Sequence, residues 1–282
     1  MTRKFFITDV FSEGPYAGNQ LATMPDAARI STEEMQQIAR AFNFSETTFI
    51  TGGSLKKGFD VRIFTPNSEL PFAGHPTLGT SYLIRNEILK SDVGELTLNL
   101  GVGPIPVTFA DDGILWMTQN QPEFGASFDP ADVAIELGLE PTDIDVKFPC
   151  RIVSTGLEFL LVPLVSYAAL KKASVGQGRL AHSHFLFCAG GYNLEQRVQA
   201  RMFAAKLGVV EDPATGSANG CLAAYLAEYE YFGPGPVDVS VGQGYEIERP
   251  SQLYLQSEKR TDEFSIRVGG KVRLVAEGEW KI

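Results

Sequence analysis

At 282 residues the chain is long enough for two domains, and its 44% hydrophobic content is sufficient for two cores. Its formal net charge of −10 argues against a nucleic acid or an anionic membrane as the partner. Its apolar runs are too short for a membrane span. Polar Thr8 and Asp9 interrupt the N-terminal apolar run, so this run predicts a strand and not a signal peptide.

The first half of the chain predicts short strands and two helices. Residues 4–11 form the opening strand, and a turn-rich segment follows, in which Asn19 could simply stabilise a turn. Ser31 begins a capping box for an amphipathic helix that ends near Asn43. The remaining elements are strands at 45–51, 59–65, 96–100, 105–109 and 114–119, and a short helix near 76–86.

The second half restarts this pattern after a segment rich in Pro, Gly and polar residues, 121–129. We place the domain boundary there, with domains of residues 1–121 and 122–282, and the last strand, about 271–282, is a candidate to join the first domain. Asp129-Pro130 begins a helix that corresponds to the helix starting at Ser31 in the first half, with Gly138 as its C-cap. Further strands are predicted at 150–155, 159–162, 185–188, 198–203, 237–241, 252–255 and 264–268, with a short helix at 166–173.

The sequence predicts chemistry by side chains alone, with no cofactor and no metal. Glycine motifs for dinucleotides or phosphates, a cofactor-type lysine and a nucleophile elbow are all missing from it. His182 and His184 would share one face of a strand, but a metal would still lack its other ligands. Three widely spaced cysteines, Cys150, Cys188 and Cys221, form no CxxC pair and suit a cytoplasmic protein.

Two glycine-containing segments of the chain resemble each other. Arg62-Ile63-Phe64 precedes L-P-F-A-G-H-P-T-L-G, and Arg201-Met202-Phe203 precedes D-P-A-T-G-S-A-N-G. The corresponding pairs are Pro71 with Pro213, Gly74 with Gly216, and His75 with Ser217. This internal repeat predicts an α+β fold of two similar domains, each of which starts a central helix at a glycine turn, with a site between them.

A helix start has unpaired N–H donors and a partial positive charge, so each turn could hold an anion on this acidic chain. The alternative is structural: Asp212 or Ser217 caps the helix, and Pro213 takes its first position. Glu46 is the only charge in the β-prone segment 45–51, where a carboxylate is more often solvated than catalytic.

Several stretches, in this order along the chain, carry a resemblance to a known family. They are D-V-F, G-N-Q-L, S-E-T-T-F, P-F-A-G-H-P, S-T-G-L-E-F-L-L-V-P-L and E-D-P-A-T-G-S-A, and they span nearly the whole chain. Together they resemble the phenazine-biosynthesis PhzF-like family. The resemblance implies the diaminopimelate-epimerase-type fold, two pseudosymmetric halves that each wrap strands around a central helix, and an isomerase that transfers protons at carbon without a cofactor in the cleft between the halves.

The resemblance also implies roles for particular residues. Glu46 would be the catalytic acid/base, and His75, Asp212 and Ser217 would hold the substrate or assist, together with Asn19. The physics agrees, because desolvation raises the pKa of a buried carboxylate toward the working pH. Backbone N–H groups at Gly74 and Gly216 would stabilise a substrate carboxylate and developing charge. The expected partner is therefore a small anionic metabolite, and both a monomer and a homodimer remain open.

One departure from the epimerase relatives bears on the reaction. Those enzymes resemble this chain but carry a cysteine before the glycine of each turn, where Ala73 and Thr215 stand here. A single carboxylate that removes and returns a proton favours an isomerisation over a two-thiol racemisation. The alternatives are a racemase or epimerase of a small amino or hydroxy acid, with Glu46 and His75 as opposed bases, and a binding protein that retains the fold without turnover.

Overall fold

The structure is a computed structural model that describes residues 2–175, 182–204, 209–261 and 263–281. Met1 and Ile282, the ends of the two predicted domains, lie outside the described residues. The chain divides into two compact units, the first of Met1–Thr118 and Gly269–Ile282, and the second of Gln119–Val268. In the described ranges, none of the helices has the length and apolar character needed to cross a membrane.

The first unit is a strand-rich sheet with a buried helix. Its strands are β1 (Thr2–Val10), β2 (Asn19–Met24), β3 (Glu46–Ser54), β4 (Gly58–Phe64), β5 (Glu69–Leu70), β6 (Glu95–Leu100), β7 (Gly103–Phe109), β8 (Leu115–Thr118) and the final strand, β18 (Val272–Lys281). Its helices are α1 (Thr32–Phe42) and α2 (Gly74–Leu83), and a π-helical turn, Ile84–Leu89, extends α2. The first and last strands of the described chain pair in this unit, because β18 runs antiparallel to β1.

Helix α1 forms where the sequence predicts it. The Ser31 hydroxyl accepts a hydrogen bond from the Glu34 N–H, and Asn43 ends the helix in the left-handed conformation. Its apolar face packs against the first unit's sheet through Met35 and Ile38. The predicted capping box is therefore confirmed at its N-cap.

Helix α2 lies at the centre of the first unit, in contact with β1, β2, β3, β6, β7, β8 and β18. Its residues from Gly74 to Ser81 are all buried. A helix that is buried all round needs small or apolar residues on every side. The sequence G-H-P-T-L-G-T-S meets that need, and at Gly79 a Cβ would lie 2.6 Å from Leu21.

The second unit repeats this arrangement around α5 (Gly216–Glu228), which contacts β10, β11, β15 and β16 and is buried from Gly216 to Ala227. Its strands are β9 (Glu123–Phe128), β10 (Cys150–Ser154), β11 (Glu158–Pro163), β12 (His184–Ala189), β13 (Val198–Ala204), β14 (Val209–Asp212), β15 (Val237–Gln243), β16 (Ser251–Arg260) and β17 (Glu263–Gly270), of which the last two residues fall in the first unit. Its other helices are α3 (Pro130–Glu136), α4 (Tyr167–Lys172) and two short 3-10 turns, Pro141–Asp143 and Tyr245–Ile247. The predicted α+β class, with strands around a central helix in each half, is confirmed.

One local prediction is wrong, and one strand lies where the sequence predicted none. The polar segment 121–129 contains a strand, β9, because its backbone pairs antiparallel with β10 in spite of its turn-forming residues. Asn19 is the first residue of β2 and pairs with Val10 of β1, so it does not lie in a turn. In both places the pairing of strands outweighs local sequence preference.

Candidate active site

Three of the predicted site residues come together in the first unit. Asn19 and Glu46 each begin a strand, and β2 and β3 run parallel, with Leu21 opposite Glu46. His75 is the second residue of α2, which packs on both strands. Two strand starts and one helix start therefore present an amide, a carboxylate and an imidazole at one place.

The imidazole of His75 lies between the other two side chains. Asn19 Nδ2 is 3.3 Å from His75 Nδ1, and His75 Nε2 is 3.4 Å from Glu46 Oε2. The His75 side chain is 4% exposed and that of Glu46 is 16% exposed. Glu46 is thus largely shielded from water but not sealed, whereas His75 is buried. The general expectation that a carboxylate in such a segment is solvated is therefore not met at Glu46.

Burial decides the charge of His75. Removal from water lowers its pKa to about 3, although a hydrogen bond with the Gln20 backbone acts in the opposite direction. His75 and Glu46 stand within ion-pair distance, but an imidazole with so low a pKa is neutral near pH 7. A neutral His75 can donate or accept a hydrogen bond, but it brings no positive charge to the carboxyl group of Glu46.

The start of α2 adds backbone donors beside this group. Its N-cap is Ala73, in an extended conformation, and no side chain of the described chain caps it. The first turn carries no acidic residue. The positive end of the helix dipole at Gly74 is therefore not neutralised from within the helix.

In the second unit, α5 starts in the same way. Its N-cap is Thr215, extended and without a side-chain cap among the described residues, and Gly216 is the first helical residue. The structural alternative, with Asp212 or Ser217 as the N-cap, is wrong, because both lie outside the N-cap position. Asp212 ends β14, its Oδ2 accepts a hydrogen bond of 2.5 Å from the Thr215 hydroxyl, and Ser217 is buried in the first turn.

Sequence analysis missed a pair of salt bridges that precede the two turns. Arg62 donates through Nε and Nη2 to both carboxylate oxygens of Glu69, at 2.8 and 2.7 Å. Arg201 makes the same fork with Glu211, at 2.9 and 2.8 Å. The signal is visible in the repeat, because each arginine begins its R-x-F stretch and each glutamate stands two residues before the turn proline.

The remaining candidates for chemistry do not form a second centre. Cys150, Cys188 and Cys221 are free and buried, and burial raises the pKa of each thiol to about 12, so none is a base near pH 7. His182 precedes β12, while His184 Nε2 lies 3.0 Å from Glu136 Oε2. Within the described ranges, no group of three or more His, Cys, Asp or Glu side chains could hold a metal ion.

Comparison with known proteins identifies the family to which the chain belongs. The family model for phenazine biosynthesis-like proteins, PhzC-PhzF, matches residues 8–278. The chain is 35% identical to trans-2,3-dihydro-3-hydroxyanthranilate isomerase of Pseudomonas aeruginosa, over 98% of each chain. It is similar to the crystal structure of a PhzF-family protein of Bacillus anthracis, with a TM-score of 0.90, 29% identity and full coverage of both chains.

A more distant structure shows the breadth of the fold. A hydroxyproline epimerase of Agrobacterium vitis superposes with a TM-score of 0.61 at 10% identity, over 99% of this chain and 92% of that one. At this identity the likeness concerns the fold alone. It places the chain's architecture among the epimerase-like folds.

Proposed function

Because the chain belongs to the phenazine biosynthesis-like PhzC-PhzF family and its relatives are named isomerases, we propose that it is an isomerase that moves a proton at carbon of a small carboxylate-bearing metabolite. In this proposal Glu46 is the acid/base, and neither a metal nor a cofactor takes part. One observation carries the proposal. The carboxylate of Glu46, mostly removed from water, lies 3.4 Å from a buried imidazole that burial keeps neutral.

A carboxylate beside a neutral partner suits proton removal from carbon. A protonated histidine at this distance would stabilise the charged form of Glu46 and weaken it as a base. Neutral His75 does not oppose proton uptake in this way, so Glu46 can accept a proton and return it at a neighbouring position. Asn19 holds the imidazole through Nδ1, which directs Nε2 toward the carboxylate.

The other predicted residues have supporting roles in this proposal. Backbone N–H groups at Gly74 and Gly216 stand at helix starts that lack a side-chain cap in the described chain, and such donors suit a substrate carboxylate and developing negative charge. Asp212 and Ser217, both mostly buried, would orient a hydroxyl or amine of the substrate. The preferred ligand is therefore a small anion with polar substituents.

The geometry disfavours the opposed-base racemase. Two bases that invert a stereocentre must flank the carbon from opposite faces, with space for it between them. Glu46 Oε2 and His75 Nε2 are 3.4 Å apart, which is the separation of two atoms in contact. These two groups act on one side of a substrate, as an isomerase with a single acid/base requires.

The relative from Pseudomonas aeruginosa supplies the first compound to test. Its name describes the isomerisation of trans-2,3-dihydro-3-hydroxyanthranilate, and such a compound has the carboxylate and the polar substituents that the proposed site requires. We propose this compound, or a small metabolite of the same class, as the substrate.

The test replaces Glu46 with glutamine and follows turnover of trans-2,3-dihydro-3-hydroxyanthranilate by NMR in deuterated water. We expect Glu46→Gln to lower kcat by at least about 100-fold, with KM changed by only a few-fold, because the acid/base is lost while binding contacts stay. The matched control is Glu95→Gln, an exposed residue that also begins a strand of the first unit, and it should keep wild-type turnover.

Each outcome separates the three functional classes. Deuterium at a new carbon of the product supports isomerisation, whereas inversion at a single carbon supports the racemase. A wild-type chain that binds the compound without converting it would be a binding protein. If Glu46→Gln keeps more than a tenth of the wild-type rate, Glu46 is not the acid/base.

A further inference from the structure

A single buried amide holds the glycine turn of the second unit. Gln243 ends β15, and its side chain is fully buried. Its Nε2 donates to the Asp212 carbonyl at 2.9 Å and to the Thr215 hydroxyl at 3.1 Å. Its Oε1 accepts from the Thr215 N–H at 3.2 Å and from Asn219 Nδ2 at 3.0 Å. The amide thus makes every hydrogen bond that a glutamine side chain can make.

These bonds fix the direction of the Thr215 hydroxyl. An amide Nε2 only donates, so the Thr215 oxygen must accept from Gln243. The hydroxyl proton is then left for Asp212, whose Oδ2 lies 2.5 Å away. A carboxylate oxygen accepts such a proton in a short, charge-assisted hydrogen bond. Gln243, Thr215 and Asp212 therefore form a chain of hydrogen bonds with one allowed direction, from the amide through the hydroxyl to the carboxylate.

The backbone after Gln243 closes on the same turn. Gly244 has a φ of 78°, and a Cβ there would lie 2.6 Å from the Pro213 carbonyl oxygen. Only glycine allows both this conformation and this approach. The end of β15 therefore contacts the turn with its backbone at Pro213 and with its side chain at Asp212 and Thr215.

We propose that Gln243 and Thr215 are positioning residues, which set the orientation of the Asp212 carboxylate and the start of α5. The inference rests on the proposed function, because the orientation matters to the reaction only if Asp212 assists it. Thr215 stands at the N-cap without capping its helix through its side chain. Its hydroxyl is directed to the carboxylate instead, and in this chain that is its function.

Three variants and one control test the inference. Thr215→Val keeps the shape of the side chain and removes the hydroxyl, whereas Thr215→Ser keeps the hydroxyl. Gln243→Met removes all four hydrogen bonds at nearly constant volume. Gln199→Met makes the same change at a glutamine that is also buried, on neighbouring β13, where Cys188 Sγ donates to its Oε1.

The first measurement needs no substrate. Scalar couplings measured by NMR report whether the Asp212 side chain holds one rotamer. We expect one rotamer in the wild type, Thr215→Ser and Gln199→Met, and averaging over several rotamers in Thr215→Val and Gln243→Met. If Gln243→Met does not fold, Thr215→Val decides alone. A single unchanged rotamer in Thr215→Val overturns the inference.

The second measurement is turnover of trans-2,3-dihydro-3-hydroxyanthranilate. A misplaced assisting group costs about 10- to 100-fold, so kcat/KM should fall by that factor in Thr215→Val and recover to within about 3-fold in Thr215→Ser. Equal losses in the serine and valine variants would overturn the positioning role. A wild-type chain without turnover would overturn this compound as the substrate, and the NMR result would still decide whether Gln243 and Thr215 orient Asp212.

Discussion

The two units begin their buried helices with the same glycine turn but support that turn differently. In the first unit the Arg62–Glu69 fork is partly open to solvent, with side chains 30% and 41% exposed. In the second unit the Arg201–Glu211 fork is buried, at 9% and 7%. Arg201 Nη1 also donates to the Ala173 carbonyl at 2.6 Å, which ties the second fork to the end of α4.

The two turns also differ in the side chains that they present. The first turn presents His75, whose position is set by side-chain contacts with Asn19 and Glu46. The second turn presents Asp212, whose surroundings are the buried fork and the Gln243 amide. One repeated sequence pattern therefore supports the imidazole beside Glu46, the proposed acid/base, in one unit and a tightly held polar loop in the other. The energetic cost of disturbing the two should differ accordingly.

The largest expected effect comes from breaking the buried fork. In Glu211→Gln the Arg201 guanidinium stays buried but loses its carboxylate partner. Removal of one partner of a buried ion pair lowers the free energy of unfolding by about 3–5 kcal/mol. We expect the free energy of unfolding, measured by urea denaturation at pH 7, to fall by that amount. Glu158→Gln, at an exposed position of β11, should stay within about 0.5 kcal/mol of the wild type.

If Glu211→Gln cost less than about 1 kcal/mol, the buried fork would not be what holds the second turn. The Gln243 amide would then have to be the main support, and the comparison between the units would rest on that residue alone.

A smaller effect is expected from the buried histidine of the first unit. Burial lowers the pKa of folded His75 to about 3, whereas an unfolded histidine titrates near 6.5. Between these values the unfolded chain binds a proton that the folded chain does not, so this residue's contribution to stability is lost as the pH falls from about 6.5 toward 3. His75→Gln removes this coupling between proton binding and unfolding, because glutamine does not titrate. Between pH 7 and pH 5 the wild type should lose about 2 kcal/mol more than the variant.

His184 of the second unit is the matched control. Burial lowers its pKa as well, but the His182 carbonyl and the carboxylate of Glu136 act in the opposite direction. His184→Gln should therefore change the pH dependence of urea denaturation less than His75→Gln does. Equal slopes for wild type and His75→Gln would mean that folded His75 becomes protonated near pH 6 and does not stay neutral.

Much of the architecture could be predicted from local sequence. Helix ends depend on residues within one helical turn, so a sequence can predict them. Examples are the N-cap Ser31 and the C-cap Asn43 of α1, and the N-cap Asp129 of α3. The glycine repeat predicted two buried helices, because a pattern that recurs along the chain reports a recurring structure. The repeat also includes His75, and the structure brings it into contact with Glu46, the residue that the family resemblance implied as the acid/base.

The contacts that depend on distant parts of the chain could not be predicted. Gln243 follows Asp212 by 31 residues, and no periodicity links a strand end to a turn so far away. β9 forms because β10 pairs with it, whereas its own residues favour turns. The Arg–Glu forks lie between these cases: their spacing is in the repeat, but a sequence does not show that one fork is buried and the other is not.

The smallest effect sharpens the comparison between the units. Glu69→Gln makes in the first unit the change that Glu211→Gln makes in the second, at the equivalent position before the turn proline. Water reaches both partners of the Arg62–Glu69 fork, so we expect a loss of no more than about 1 kcal/mol in urea denaturation. The loss should shrink further at high salt, because exposed charges are screened. A salt-independent loss as large as that of Glu211→Gln would show that exposure does not distinguish the two forks, since both would then be needed equally to hold their turns.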